Sequence, residues 1–364
     1  MGNGKKIICL IDSLGAGGAQ RQMVGLATIL KEHGYEVIVG FYYPEFFYAN
    51  HLSDVGVPWI YLKGGERIWK RLFFVEHYIR KNKPDVLISY LDTPNICACL
   101  AHILNRHFKL IVSERTKTQK TGWREKLRFN LFRFADYVVP NAYSQANYVN
   151  QTFPFLSSKL SVIPNFVDLQ RFTPLFHHRH QVPEIIVVAT IYPPKNTLGF
   201  IDAVELLAKD GILFHVSWYG KDLANIEYFI ECQKKIKEKR VEQYISLLDK
   251  TNNISVCFRE ADYFCLPSFY EGTPNALCEA MASGLPILCS NVCDNPRYVE
   301  EGVNGFMFNP NDVSDMAKTI RKMLQLSDHD YSLFCRTSRK YAEEKFSKER
   351  FVNDYVNLIE NPKA

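Results

Sequence analysis

The chain has no apolar run long enough to span a bilayer, although 47% of its 364 residues are hydrophobic, so those residues are expected to fill protein cores. At the N-terminus, Met1-Gly2-Asn3-Gly4-Lys5-Lys6 passes into Ile7–Ile11, which has only strand length and lacks a small-residue cleavage site, so secretion is not expected. The ten cysteines form no repeating framework, which fits a reducing compartment, the cytoplasm. Zinc is not expected either. Cys97, Cys99 and His102 come nearest to a ligand cluster, but a fourth ligand at zinc-site spacing is absent, and small buried residues on a helix account better for Ile96-Cys97-Ala98-Cys99-Leu100. Internal repeats and low-complexity tracts are also missing.

What is present is enough for two cores, since a single compact core of this length is unusual. Charge is unevenly shared. Residues 1–165 hold 21 Lys and Arg against 12 Asp and Glu, a net of +9, and residues 166–364 hold 23 against 27, a net of −4. The basic half is compatible with an acidic membrane surface or a phosphorylated partner.

Short apolar runs alternating with helical patterns predict an α/β fold with parallel sheets. In the first half, 6–11, 36–42, 59–62, 85–90, 109–113 and 137–140 read as strands; in the second, 184–189, 213–219, 255–257, 263–267 and 286–290 do. Between the first two strands, Gln20 to His33 places Met23, Leu26, Ala27 and Leu30 on one helix face, with Gly34 positioned to end it. The pattern breaks around Val162–Asp168, and the polar stretch His177-His178-Arg179-His180-Gln181 reads as a solvated linker. The expected domains are 1–170 and 182–330, followed by helices over 331–364 whose last member packs on the first domain.

The most informative segment is Ser268-Phe269-Tyr270-Glu271-Gly272-Thr273-Pro274-Asn275-Ala276-Leu277-Cys278-Glu279-Ala280-Met281-Ala282-Ser283-Gly284-Leu285-Pro286. After a strand, Thr273 is suited to the N-cap and Pro274 to the first helical position, so amides near Asn275 and Ala276 would face an anion such as a diphosphate. Glu279 is the sole charge between Ala276 and Leu288 and needs hydrogen-bonding partners, which vicinal ribose hydroxyls or a structural cation would supply. Glu271 sits on the loop before the helix. A second glycine-rich turn, Gly15-Ala16-Gly17-Gly18-Ala19-Gln20, invites a dinucleotide reading. Gln20 replaces the third glycine, however, and Val39-Gly40-Phe41-Tyr42-Tyr43 lacks a ribose-binding acid, so NAD is not expected.

Glu271 and Glu279, seven residues apart within EGTPNALCEAMASGLP, closely resemble the E-x7-E signature of family 4 retaining glycosyltransferases. Val162–Asp168 and Glu300–Phe306 resemble further segments of that family. The resemblance implies a GT-B fold, two Rossmann-like domains with an interdomain cleft and a C-terminal helix crossing back to the N-terminal domain. It further implies that Glu279 binds the donor ribose, that Glu271 lies against the donor sugar, and that Gly272, Thr273, Pro274, Asn275 and Ala276 surround the diphosphate. Lys195, between Thr190 and Asn196, matches the family's diphosphate-neutralising lysine and joins Glu271 as a catalytic candidate, whereas Thr190 stands where an arginine is expected. Gly17 and Gly18 match the turn that approaches the donor phosphates. Glu114 and Arg115, in Ser113-Glu114-Arg115-Thr116, are candidates for sugar or acceptor contact, as are Asp92 and Asn95.

The expected activity is metal-independent transfer, with retention, from a nucleotide-sugar, UDP-linked, to a hydroxyl of a glycan or lipid-linked acceptor in surface polysaccharide or glycoconjugate synthesis. No cofactor, metal or nucleic acid is expected, since no Asp-x-Asp motif is placed to hold a diphosphate-bound cation. A nucleotide-sugar epimerase and a catalytically silent nucleotide-sugar-binding protein remain open on these residues. Basic, aromatic stretches at Ile68–Lys81 and Lys117–Phe134, the latter with Lys117, Lys120, Trp123, Arg124, Lys126 and Arg128, suit either core packing with basic edges or peripheral contact with the inner face of a membrane.

Overall fold

The computed structural model describes residues 4–63, 67–115, 118, 121–175 and 179–361. Thr116, Lys117, Lys120, His177 and His178, named above, lie outside the described residues. The chain forms two compact units, Met1–Phe166 with Lys348–Ala364, and Val167–Ser347.

The first unit is built on six parallel strands: β1 (Lys6–Leu10), β2 (Glu36–Phe41), β3 (Trp59–Tyr61), β4 (Val86–Tyr90), β5 (Lys109–Glu114) and β6 (Tyr137–Pro140). Their order in the sheet is β3-β2-β1-β4-β5-β6. Because successive side chains on a strand point to opposite faces, each strand divides between two cores. Ile7, Cys9, Val37, Val39, Ile88 and Tyr90 pack on one side, and Ile8, Leu10, Leu87, Leu110 and Val112 on the other. Both faces are therefore covered, as an all-parallel sheet requires. Helices α1 (Gly18–Glu32) and α2 (Ala49–Asp54) cover the first face. Helices α3 (Ile68–Asn82), α4 (Asp92–Leu104), α5 (Trp123–Phe132) and α6 (Tyr143–Thr152) cover the second. The four residues predicted to face inward on α1 are all buried, and Gly34, at φ +87°, ends the turn after it. Cys97 and Cys99 sit in the core of α4, where burial pushes the Cys97 thiol up to about 11.

The second unit repeats the design with β7 (Glu184–Val188), β8 (His215–Lys221), β9 (Ile245–Asp249), β10 (Tyr263–Leu266), β11 (Ile287–Ser290) and β12 (Gly305–Phe308). The order is β12-β11-β10-β7-β8-β9, which is the first unit's order shifted by six strands and written in reverse. Around it lie α7 (Thr197–Lys209), α8 (Ile226–Lys239), α9 (Ile254–Glu260), α10 (Asn275–Ala282), α11 (Asn295–Tyr298), α12 (Val313–Leu324) and α13 (Asp328–Phe346). Gly305 has to be glycine, because a Cβ there would lie 2.2 Å from the carbonyl oxygen of Ile287 on the neighbouring strand.

The sequence reading of the elements needs two corrections. Ser255–Cys257, expected as a strand, lies within α9, where Ile254 and Phe258, four residues apart, turn one helical face inward. The strand in that place is β9, an edge strand whose middle residues are only half-buried, so its apolar signal is weak. Of the two tail helices, α13 belongs to the second unit and α14 (Lys348–Glu360) to the first, as expected for the last helix. The first unit also ends at Phe166, short of residue 170. Phe166 packs on Phe351 of α14 with ring centroids 4.9 Å apart, whereas the amide of Val167 already donates to Phe346 at 2.9 Å. Lys109 of β5 secures α14 by donating to the carbonyls of Leu358 and Ile359 at 2.8 and 2.9 Å, a cation on otherwise unsatisfied helix-end acceptors.

Candidate active site

In a doubly wound sheet, the loops leaving the carboxyl ends of the two strands where the order reverses diverge and leave a crevice. In the second unit those strands are β7 and β10. The loop leaving β7 is stitched to β8: Trp218 Nε1 donates to Ala189 O at 2.8 Å, and the amide of Ile191 donates to Gly220 O at 2.9 Å. Gly220, at φ +157°, has no room for a Cβ, which would lie 1.9 Å from Ala189 O. A short turn over Pro193–Lys195 follows, and the loop leaving β10 docks on it through the Phe269 amide and Pro194 O, 3.0 Å apart.

These bonds bring Lys195 to Glu271. Lys195 Nζ donates to Glu271 Oε1 at 2.5 Å, and the two side chains are 16% and 10% exposed, so water screens the pair only weakly. The amide of Glu271 lies 3.4 Å from Cys293 Sγ. Tyr192 and Tyr270 border the pair, and burial pushes the Tyr192 hydroxyl above its ordinary range. Tyr270 directly precedes Glu271, whereas Tyr192 and Cys293 lie outside the motif and reach Glu271 from other loops that the strand order places together.

Helix α10 begins directly beyond Glu271. Its cap is Pro274, which makes no side-chain capping hydrogen bond, so the expected arrangement shifts by one residue: Pro274 is not the first helical residue. Thr273 does not cap the helix; its Oγ1 lies 3.4 Å from the hydroxyl of Tyr298. Asn275 and Ala276 are half-buried, and Glu279, one turn on, is buried. A helix N-terminus without a side-chain cap, beside a lysine, suits a diphosphate. Thr190 and Gly272 are half-buried nearby in sequence. Asn196 is held in the structure: its backbone is left-handed at φ +59°, and its Nδ2 donates to Pro310 O at 2.8 Å.

In the first unit the same reversal falls between β1 and β4. Gly17 caps α1 and its amide donates to Gly15 O at 2.9 Å, and Gly18 is the exposed first residue of the helix. The side chain of Gln20, which replaces the third glycine, folds back onto Asp12 Oδ1 at 2.9 Å. Asn95 Nδ2 donates to Ser113 O at 2.9 Å. Arg115 lies over the ring of Tyr90, 3.6 Å from its centroid, and donates to Asn165 Oδ1 and the Tyr355 hydroxyl, so it fastens α14 to the sheet.

Arg128 corrects the sequence reading of α5. Counted there among the basic residues of an outward edge, it is buried and bridges Asp92 and Glu114, the latter at 3.3 Å. It shares its inward face with Phe129 and Phe132, a clue present in the helical period. Arg71 of α3 is likewise buried, stacked on Tyr42 and Tyr43.

Burial raises the carboxyl of Glu114 from its ordinary 4.5 to about 7, against the opposing pull of Arg128. The folded state then holds a proton that the unfolded chain releases. Stability is greatest below the unfolded value, falls as pH rises, and stops falling above about 7. Melting of the protein and of Glu114→Gln across this window should show the variant losing less stability with rising pH; parallel curves would remove Glu114 as the source.

Among the described residues no three His, Cys, Asp or Glu side chains group as metal ligands, and no helix is long and apolar enough to cross a membrane.

Comparison with known proteins agrees with this fold. Residues 16–171 match the family described as Glycosyltransferase Family 4, and residues 182–326 match Glycosyl transferases group 1. The chain is 25% identical over 370 residues, 97% of its length and 98% of the relative's, to the GalNAc-alpha-(1->4)-GalNAc-alpha-(1->3)-diNAcBac-PP-undecaprenol alpha-1,4-N-acetyl-D-galactosaminyltransferase of Campylobacter jejuni. It is 28% identical over 221 residues to the UDP-Gal:alpha-D-GlcNAc-diphosphoundecaprenol alpha-1,3-galactosyltransferase of Escherichia coli, a match spanning 56% of this chain and 55% of that one. The crystal structure of HepE from Anabaena in complex with UDP superposes with a TM-score of 0.84 at 16% identity, covering 97% of this chain and 99% of that one. With the two family regions spanning most of its length and the same pair of Rossmann-like units, the chain belongs to the family 4 glycosyltransferases of GT-B fold.

Proposed function

We propose that this glycosyltransferase moves a sugar, with retention and without a metal, from a UDP-sugar to a hydroxyl of a glycan or lipid-linked glycan in surface polysaccharide or glycoconjugate synthesis. The observation that carries the proposal is the Lys195–Glu271 pair set before an uncapped helix whose next turn bears the buried Glu279. In this reading the amides that open α10 and Lys195 hold the diphosphate and stabilise its departing charge in place of a cation. Glu279 holds the ribose and Glu271 the donor sugar. The acceptor oxygen attacks the anomeric carbon on the face from which the diphosphate leaves. The bond from that carbon to the phosphate oxygen breaks, and the leaving phosphate takes the acceptor's proton. The names of two relatives specify undecaprenol-linked substrates, which favours a lipid-linked acceptor here.

Such an acceptor places the enzyme at the cytoplasmic face of a membrane. Supporting this, Trp69 and Phe73 of α3 and Trp123 and Leu127 of α5 are more than half exposed on the helical layer that covers one face of the first sheet. Exposed Lys70, Arg124 and Lys126 accompany them. Aromatic side chains beside cations suit an anionic interface.

Melting the protein with UDP-, GDP- and ADP-sugars tests the donor. A UDP-sugar at about a hundred times its Kd should stabilise by about 3 kcal/mol and the other two by less. Product analysis with the stabilising donor should show transfer to an added acceptor. A new free nucleotide-sugar would instead indicate an epimerase, and binding without turnover a silent binder.

A further inference from the structure

A cavity of about 100 Å³ lies in the second unit, lined by Arg259, Ser283, Leu285, Tyr331, Cys335 and Arg336. Its place in the fold separates it from the site above. Lys195 and Glu271 follow the carboxyl ends of β7 and β10, whereas this cavity meets the chain at Ala261, two residues before β10, and at Gly284-Leu285, just before β11. It therefore opens at the opposite edge of the sheet, between the C-terminal end of α10, the end of α9 and the first half of α13.

Three of its groups await a partner. Ser283 is 4% exposed, and its hydroxyl is buried without a hydrogen bond, a condition that is unfavourable in a folded protein. Arg259 Nε is buried and unsatisfied in the same way. Arg336 is exposed and forms no ion pair with a described residue. The lining contains no carboxylate. Of the carboxylates close by in the chain, Asp262 is engaged with His180 and the Glu184 amide and Asp328 with Arg179, while Glu260, directly after Arg259, is exposed and outside the lining. Guanidinium groups and a hydroxyl are donors, and their complement is an anion rich in acceptors.

Size limits the choice. A water needs roughly 10–15 Å³ measured this way, and drug-sized ligands occupy about 300 Å³ or more. The cavity holds a group of several heavy atoms and is too small for a nucleotide.

We propose that this cavity is a second, non-catalytic site for a small phosphate-bearing anion, in which Arg259 and Arg336 pair with the phosphate oxygens and the Ser283 hydroxyl donates to one of them. Its occupant ties the end of α10 to α13. The same helix, α10, opens at the donor site, so the anion steadies the element that bears Glu279.

Calorimetric titration of the full chain with inorganic phosphate tests the site, with UDP present throughout so that any phosphate affinity of the donor site is masked. Millimolar or tighter binding is expected. R259Q/R336Q should weaken it by about tenfold or more, because each arginine supplies a charge-assisted hydrogen bond. Ser283→Ala removes only the hydroxyl, keeps the packing, and should weaken binding several-fold. Absence of binding at millimolar phosphate, or unchanged affinity in both R259Q/R336Q and Ser283→Ala with native circular dichroism, would overturn the proposal.

Discussion

Glu271→Gln is expected to lower kcat by about a hundred- to a thousandfold, the range found when one preorganised electrostatic group is removed from an active site. The isosteric amide keeps the loop's shape and removes the charge that Lys195 meets at 2.5 Å. Lys195→Met should act through the same pair, because the lysine holds the carboxylate in place and, in the proposed reaction, also faces the departing diphosphate. Two groups acting as one unit give non-additive losses. The double variant should therefore be little worse than the poorer single one. Full additivity, or a loss below about tenfold in Glu271→Gln, would separate the pair from the chemistry. Retained UDP-sugar binding in Glu271→Gln, measured by melting, keeps the loss on the chemical step.

Glu279→Ala should act on binding. A buried carboxylate that accepts from two ribose hydroxyls makes two charge-assisted hydrogen bonds, and their loss corresponds to a rise of about a hundredfold in the Kd for UDP. Glu279→Gln retains one acceptor oxygen and should fall between. The informative control is UMP against uridine: both contain the ribose, so both should weaken in parallel. An unchanged Kd for all three in a natively folded Glu279→Ala protein would exclude ribose contact. The variants at 271 and 279 thus divide the E-x7-E pair into a chemical and a binding member, which helix geometry makes reasonable. Glu271 lies on the loop and Glu279 on the second turn of α10, so they approach a ligand from different directions.

Much of this site is legible in the one-dimensional chain because its parts are local. The strand–loop–helix at 263–282, the spacing of the two glutamates and the turn at Gly15–Gly18 are set by backbone preferences within about twenty residues. Lys195 is legible only as a family match. Its ion pair spans 76 residues and depends on the Phe269–Pro194 and Ile191–Gly220 backbone bonds, for which the sequence has no sign. Arg128 was misassigned for a related reason. Arginine on an amphipathic helix is ordinarily solvated, and only the arrival of Asp92 and Glu114 from two other strand ends makes its burial favourable.

The chain by itself determined the alternation of strands and helices, the two-core organisation and the motif's place on a helix N-terminus, because hydrophobic period and turn chemistry act between near neighbours. Tertiary structure decided the rest. Whether Ser255–Cys257 is strand or helix, which unit receives α13, and which carboxylate meets which cation all depend on partners distant in sequence. Those choices are made by the free energy of burying whole faces and pairing buried charges, quantities that no local window contains.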